Sequence, residues 1–154
     1  MPTETEVVDP LALDRQVCFA LAVTNRAVLS VYRPLLEPMG LTHPQYLVML
    51  ALWEQSPRTV KGIAEALQLD SPTLSPLLKR LEATGMLIRS RSATDERVLE
   101  VHLSDEGAAL RSRAEAIPGA VVGRLGVDLA ELEHLRVALA RINASAVSAG
   151  ALKP

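Results

Sequence analysis

Two groups of side chains in this chain are equipped for chemistry. The first is a single thiol, Cys18. A cysteine thiolate is oxidised by peroxides to sulfenic acid, the first rung of a longer oxidation ladder. One cysteine excludes an internal disulfide and a cysteine-built metal cage. A lone cysteine also serves as a small buried hydrophobe, so the residue alone leaves both readings open. The second group lies between Ser71 and Arg97. Ser71, Thr73, Ser75 and Lys79 suit phosphate oxygens, and Arg80 suits phosphate or a guanine edge. Arg89 and Arg91 lead into a polar tip carrying Asp95 and Arg97. An arginine at such a tip fits a narrow minor groove, and a carboxylate two residues earlier can orient its guanidinium. An ordinary solvated helix and hairpin could carry the same residues.

Composition narrows the classes. A length of 154 residues suits one domain, or one domain with an oligomerisation arm. Hydrophobic residues reach 49% but aromatics only 3%, so a core must come from Leu, Val, Ile and Ala. Few aromatics argue against a base-stacking platform for single strands. A net charge of −2 argues against a generic nucleic-acid binder. The local balance differs: residues 58–97 hold seven basic against five acidic side chains, the remainder nine against thirteen. No apolar run reaches the roughly 18 residues of a membrane helix, and no basic-then-apolar signal opens the chain. The expectation is a cytoplasmic protein away from membranes, its thiol kept reduced. Neither a metal nor a cofactor is expected.

Periodicity supplies the elements that position these groups. The acidic, aperiodic opening reads as a flexible leader over residues 1–12. Leu13, Val17, Cys18, Leu21, Val28 and Leu35 recur at helical spacing and predict one long helix to about Leu36. Cys18 would then lie more than a turn inside it, where the N-terminal dipole helps little and Arg15, one turn back, is the group that could favour a thiolate. Pro38, Gly40 and Pro44 mark a turn. A second helix, Gln45 to Gln55, follows a cap at Thr42 or His43. Thr59 caps a third over Val60–Leu67, and Asp70 or Ser71 caps a fourth with Pro72 in its first turn. Pro76 removes one donor just inside that helix. Helix, short turn and helix make a helix-turn-helix.

After Gly85 the period drops to two. Met86–Arg91 and the alternation of Leu99, Val101 and Leu103 against Val98, Glu100 and His102 predict a hairpin with its tip at Ser92–Glu96. Ser104 caps a helix to about Ala116, Ile117–Pro118–Gly119 breaks or kinks it, and a last helix follows Asp128. Its stripe is Leu129, Leu132, Leu135, Leu139 and Ile142, fraying from Ser148. The fold class is mainly α with a small β-hairpin wing, a winged helix-turn-helix. The outer helices are too apolar for water and predict a two-fold homodimer formed by the N- and C-terminal helices. The division is 13–42 for dimerisation and sensing, 43–103 for the DNA-binding head, and 104–148 for C-terminal dimerisation helices.

Several segments carry a resemblance: VCFAL around Cys18, YRPLL at Tyr32, THPQYLVMLALWE from Thr42, LDSPTLSPLLKRLEATGMLIRSRSATDER from Leu69, and IPG at Ile117. From Leu13 to about Ala144 the chain resembles the MarR family of winged-helix regulators. DSPTLSPLLKRLE with its DER wing is specific to the superfamily, and CF with PQYL and LWE resembles the organic hydroperoxide resistance branch. The resemblance implies a transcriptional repressor, not an enzyme, that binds double-stranded DNA at a pseudo-palindromic operator as a homodimer. It makes Asp95 and Arg97 the wing pair and Cys18 the redox sensor, hydrogen-bonded by tyrosines partly from the other subunit.

Tyr32 matches one such tyrosine and Tyr46 matches a nearby family position. His43 stands where a second tyrosine is usual, and Ala22 where some relatives have another. Tyr32 could donate to the sulfur; His43 could donate or, protonated, stabilise a thiolate. His43 is also a plausible turn residue before Pro44, and both tyrosines plausible core rings. The implied mechanism starts with an organic hydroperoxide oxidising Cys18 to sulfenic acid. A small thiol, a sulfenamide or over-oxidation follows, and the heads leave register on DNA. Phe19, Leu21, Met39 and Leu47 would favour fatty or aryl hydroperoxides. Three rival readings stand beside it. One is a MarR-type regulator of a small phenolic ligand with Cys18 structural. Another is a thiol peroxidase, for which a resolving cysteine and a CxxC motif are missing. The third is a purely structural helical dimer, which leaves the DER wing unexplained.

Overall fold

The computed structural model describes residues 9–152. Residues 1–8 of the expected leader lie outside them. Residues 9–12 form a turn in which the Leu11 amide donates to Asp9 Oδ1 at 2.9 Å. The helices are α1 (Val17–Leu36), α2 (His43–Glu54), α3 (Val60–Leu67), α4 (Ser71–Ala83), α5 (Asp105–Ala114), α6 (Ile117–Leu125) and α7 (Leu129–Ser148). The strands are β1 (Arg58–Thr59), β2 (Leu87–Arg91) and β3 (Leu99–Leu103).

Four expected boundaries need correction. The long first helix does not begin at Leu13: Leu13–Arg15 is a separate 3-10 turn, and α1 starts at Val17 behind an extended Gln16. Gln16 breaks the run because its backbone is extended and its amide Nε2 is spent on the carbonyls of Pro10 and Ala12. The second helix begins at His43 rather than Gln45. Thr42 closes a full capping box with Gln45, leaving His43 and Pro44 as the first helical residues. The wing is not a two-stranded hairpin alone, since Arg58 and Thr59 pair antiparallel with Val101 and Glu100 and extend the sheet to the order β1-β3-β2. Two residues give too short a pattern for period-two reading. Finally, the fifth helix ends at Ala114, and Ile117–Pro118–Gly119 starts α6, with Pro118 in the first turn where a missing amide costs nothing.

One core unites α2, α3, α4 and the base of the wing. Val48, Met49, Leu52, Ile63, Leu74, Leu78, Leu81, Leu87 and Val101 are fully buried. Leu74, Leu78 and Leu81 form a single stripe on α4 at helical spacing. Each buried leucine contributes roughly 1.5–3 kcal/mol, so this stripe fixes which face of α4 looks outward. Gly85 ends the helix at φ +80°, a left-handed conformation that favours glycine.

The outer helices behave differently. α1 packs against α2 and α6 toward its C-terminal end, yet Leu36 is its one buried residue. α7 has none among the described residues; Leu129 and Val137 stay 66% and 53% exposed. A side-chain tie runs from α7 to the helix-turn-helix, where Asn143 Nδ2 donates to Gln68 Oε1 at 2.7 Å.

Candidate DNA-reading surface and candidate redox sensor

α4 presents its polar side outward. Ser71, Thr73, Ser75, Lys79 and Arg80 are all exposed, opposite the buried leucine stripe. Asp70, not Ser71, is the N-cap; its Oδ1 accepts from the Thr73 amide at 2.8 Å. Hydrogen bonding from Thr73, side chain and amide, holds the Asp70 carboxyl below the usual carboxylate range. Pro76 sits within α4 on the exposed side, leaving the core stripe continuous.

The wing divides its arginines into two kinds. Arg91 and Arg97 are exposed. Arg97 Nε donates to Asp95 Oδ1 at 3.2 Å and its amide donates to the same oxygen at 3.1 Å. The wing pair is therefore a formed contact with the guanidinium still 91% open. Arg89 turns the other way. Its Nε and a terminal nitrogen donate to Glu82 Oε2 at 3.0 and 2.7 Å, and its backbone amide donates to Glu82 Oε1. The guanidinium holds the Glu82 carboxyl below its usual range. Arg89 thus ties β2 to α4 instead of standing free beside Arg91. Sequence reading missed Glu82 as its partner; the signal was an acid and a base flanking the Gly85 turn, a spacing that brings the helix end back onto the strand.

The candidate sensor residues fall into two places. Tyr32, His43 and Tyr46 come together at the junction of α1 and α2. Tyr32 and His43 meet edge-on with ring centroids 4.9 Å apart, and Tyr46 lies 6.0 and 6.1 Å from the two. Tyr46 is buried, and burial pushes its phenol up. Burial also pushes the His43 imidazole down. That burial favours the neutral imidazole over the protonated one.

Cys18 does not join them. It is exposed and is the second residue of α1. It does not lie more than a turn inside the helix as expected, because the helix starts four residues later than its apolar spacing implies. In this position it stands among first-turn amides that have no intrahelical acceptor. Tyr32 follows fourteen positions later on the same helix, roughly 21 Å along the axis at about 1.5 Å per residue. No rotamer of either side chain spans that gap. Near the thiol, Phe19 and Leu21 are partly exposed.

Comparison with known proteins fits this architecture. Residues 30–113 match the family described as transcriptional regulator SarA/Rot. The chain is 42% identical over 131 residues to the organic hydroperoxide resistance transcriptional regulator of Bacillus subtilis, covering 85% of this chain and 89% of that one. Reduced AbfR bound to DNA, a protein of Staphylococcus epidermidis, superimposes with TM-score 0.72 at 33% identity over 88% of this chain and 94% of that one; AbfR is also known in a disulfide-formed structure. The repressor CouR of Rhodococcus jostii, bound to a 23-mer DNA duplex, gives TM-score 0.78 at 27% identity, over 85% and 94%. The chain belongs to the MarR/SarA-type winged-helix family of DNA-binding transcriptional regulators, and within it to the organic hydroperoxide resistance type.

Proposed function

We propose that this regulator is a homodimeric repressor, held on a pseudo-palindromic operator and released when an organic hydroperoxide oxidises Cys18. The observation that carries the reading is the position of Cys18: exposed, in the first turn of α1, and roughly 21 Å along the helix from Tyr32 of the Tyr32–His43–Tyr46 cluster. An antiparallel two-fold pairing of α1 with its twin brings the start of one helix to the end of the other. Cys18 of each chain then meets the cluster of its partner. The uncovered apolar faces of α1 and α7 support such a pairing. On this reading residues 13–42 and 104–148 make the dimer and 43–103 the reading head. The two heads present α4 to half-sites about 34–36 Å apart.

On DNA, Ser71, Thr73, Ser75 and Lys79 take phosphates, Arg80 takes a phosphate or a guanine, and Arg91 and Arg97 contact the flanking backbone and minor groove, with Asp95 aiming Arg97. Arg89 acts by holding the wing against α4. The redox step starts with the Cys18 thiolate attacking the terminal oxygen of the hydroperoxide. The O–O bond breaks, an S–O bond forms, and the alkoxide takes a proton and leaves as the alcohol. Sulfur loses two electrons and the peroxide gains them. A small cellular thiol then displaces the sulfenic oxygen as water, giving a mixed disulfide. The larger, more polar sulfur no longer fits against Tyr32 and His43 of the partner, and the heads change spacing.

The test compares operator binding by the parent and by Cys18→Ser with cumene hydroperoxide added. The parent should lose its operator while the variant keeps it. Equal release of both removes the sensor assignment and leaves the phenolic-ligand regulator, with Cys18 structural, in its place.

A further inference from the structure

A row of ring contacts leaves the tyrosine–histidine cluster and ends at the wing. From Tyr46 the next ring is Trp53, two turns further along α2, at 6.4 Å and edge-on. Its indole N–H donates to the Gly107 carbonyl at 2.8 Å, across 54 positions of sequence. Gly107 lies in the first turn of α5, pressed against the start of the wing. A Cβ there would stand 1.9 Å from the Met86 carbonyl oxygen, so any side chain would require the backbone to move. The same joint is laced by Ser104. Its hydroxyl donates to the Gly85 carbonyl and accepts from the Gly107 amide, and its own amide donates to the Met86 carbonyl at 3.2 Å. Trp53 is thereby fastened to the point where α4 ends, β2 begins and α5 starts.

We infer that Trp53 is a positioning residue that couples the Tyr32–His43–Tyr46 cluster to the angle of the wing. Closely packed rings transmit a shift because they cannot absorb it by compression. Tyr32 belongs to α1 and the other three rings to α2, so a displacement at the α1–α2 junction reaches the α4–β2–α5 joint through Trp53. The Gly107 contact has no slack that would let α5 stay behind. This inference rests on the hydroperoxide reading above and names how its signal reaches DNA.

Trp53→Phe keeps a ring and removes the N–H. Operator affinity is measured for reduced and for cumene hydroperoxide-treated protein, with loss of the Cys18 thiol followed by titration. The thiol should disappear at the parental rate, while the ratio of reduced to oxidised affinity falls roughly fivefold, the scale of one lost hydrogen bond. A purely structural Trp53 would weaken both states alike and leave the ratio unchanged, which overturns the inference alone. Trp53 is the sole tryptophan, so the parent gives a second measurement that does not depend on the variant folding. Its emission should shift on oxidation and stay constant in Cys18→Ser. Release of DNA with unchanged emission also overturns the inference. A parent that hydroperoxide does not release overturns the hydroperoxide reading, and the inference with it.

Discussion

From α2 to β3 most long apolar side chains are covered by their own chain, whereas α1 buries only Leu36 and α7 buries none. Side-chain caps occur in both regions: Thr42, Thr59, Asp70 and Ser104 each accept a first-turn amide around the head and Asp128 does so for α7, while Gln16 and Ala116 supply none to α1 and α6. Local hydrogen bonds and a closed core specify the head from within. In the proposed dimer the arms' stripes are buried against the second chain. The two regions therefore answer to different tests: a perturbation of the head reads as stability, and one of the arms reads as assembly.

The largest effect is expected from Leu135→Asp in the middle of the α7 stripe. Leu135 is 47% exposed in the single chain, so the head should keep its fold. A carboxylate inside a dimer seam is costly to desolvate. Sedimentation should show a monomer, and operator affinity should fall at least roughly a hundredfold, since two half-sites no longer act together. A dimer of parental affinity would break the contrast. Next comes Gly107→Ala in the head. The clash with the Met86 carbonyl should cost about 3 kcal/mol of unfolding free energy in urea, the upper range for overpacking, without changing oligomeric state. The smallest effect belongs to His43, at the border between the regions. Burial depresses its folded pKa, so the unfolded chain protonates first as pH falls. Stability should decline from about pH 6.5 down to the folded value and level off below it. His43→Gln should remove that slope in urea unfolding between pH 5 and 8; an unchanged slope would assign it to other groups.

The same division explains what could be read from the sequence. Helix-turn-helix order, the Gly85 stop and the Thr59 and Ser104 caps were legible because each rests on residues within four positions of one another. β1 was not, because its partner lies some forty residues away and two residues carry no period. The start of α1 was misplaced because Leu13 and Val17 share helical spacing although Gln16 interrupts the helix between them. That error concealed the first-turn position of Cys18. Arg89 looked like Arg91 in sequence, and a partner seven residues back separated them. The gathering of Tyr32, His43 and Tyr46 came from resemblance; the residues themselves gave no spacing rule for a contact between two helices.

One consequence follows from the length of α1 between Cys18 and Tyr32. In the proposed dimer, neither chain owns a whole sensor. A chain defective at Cys18 and another defective at Tyr32 would, when mixed, restore one complete site from their two intact halves. Two copies of either defective chain would restore none. A peroxide response of this kind is counted per pair, and a chain that has not yet met its twin is blind to oxidant however much of it is present.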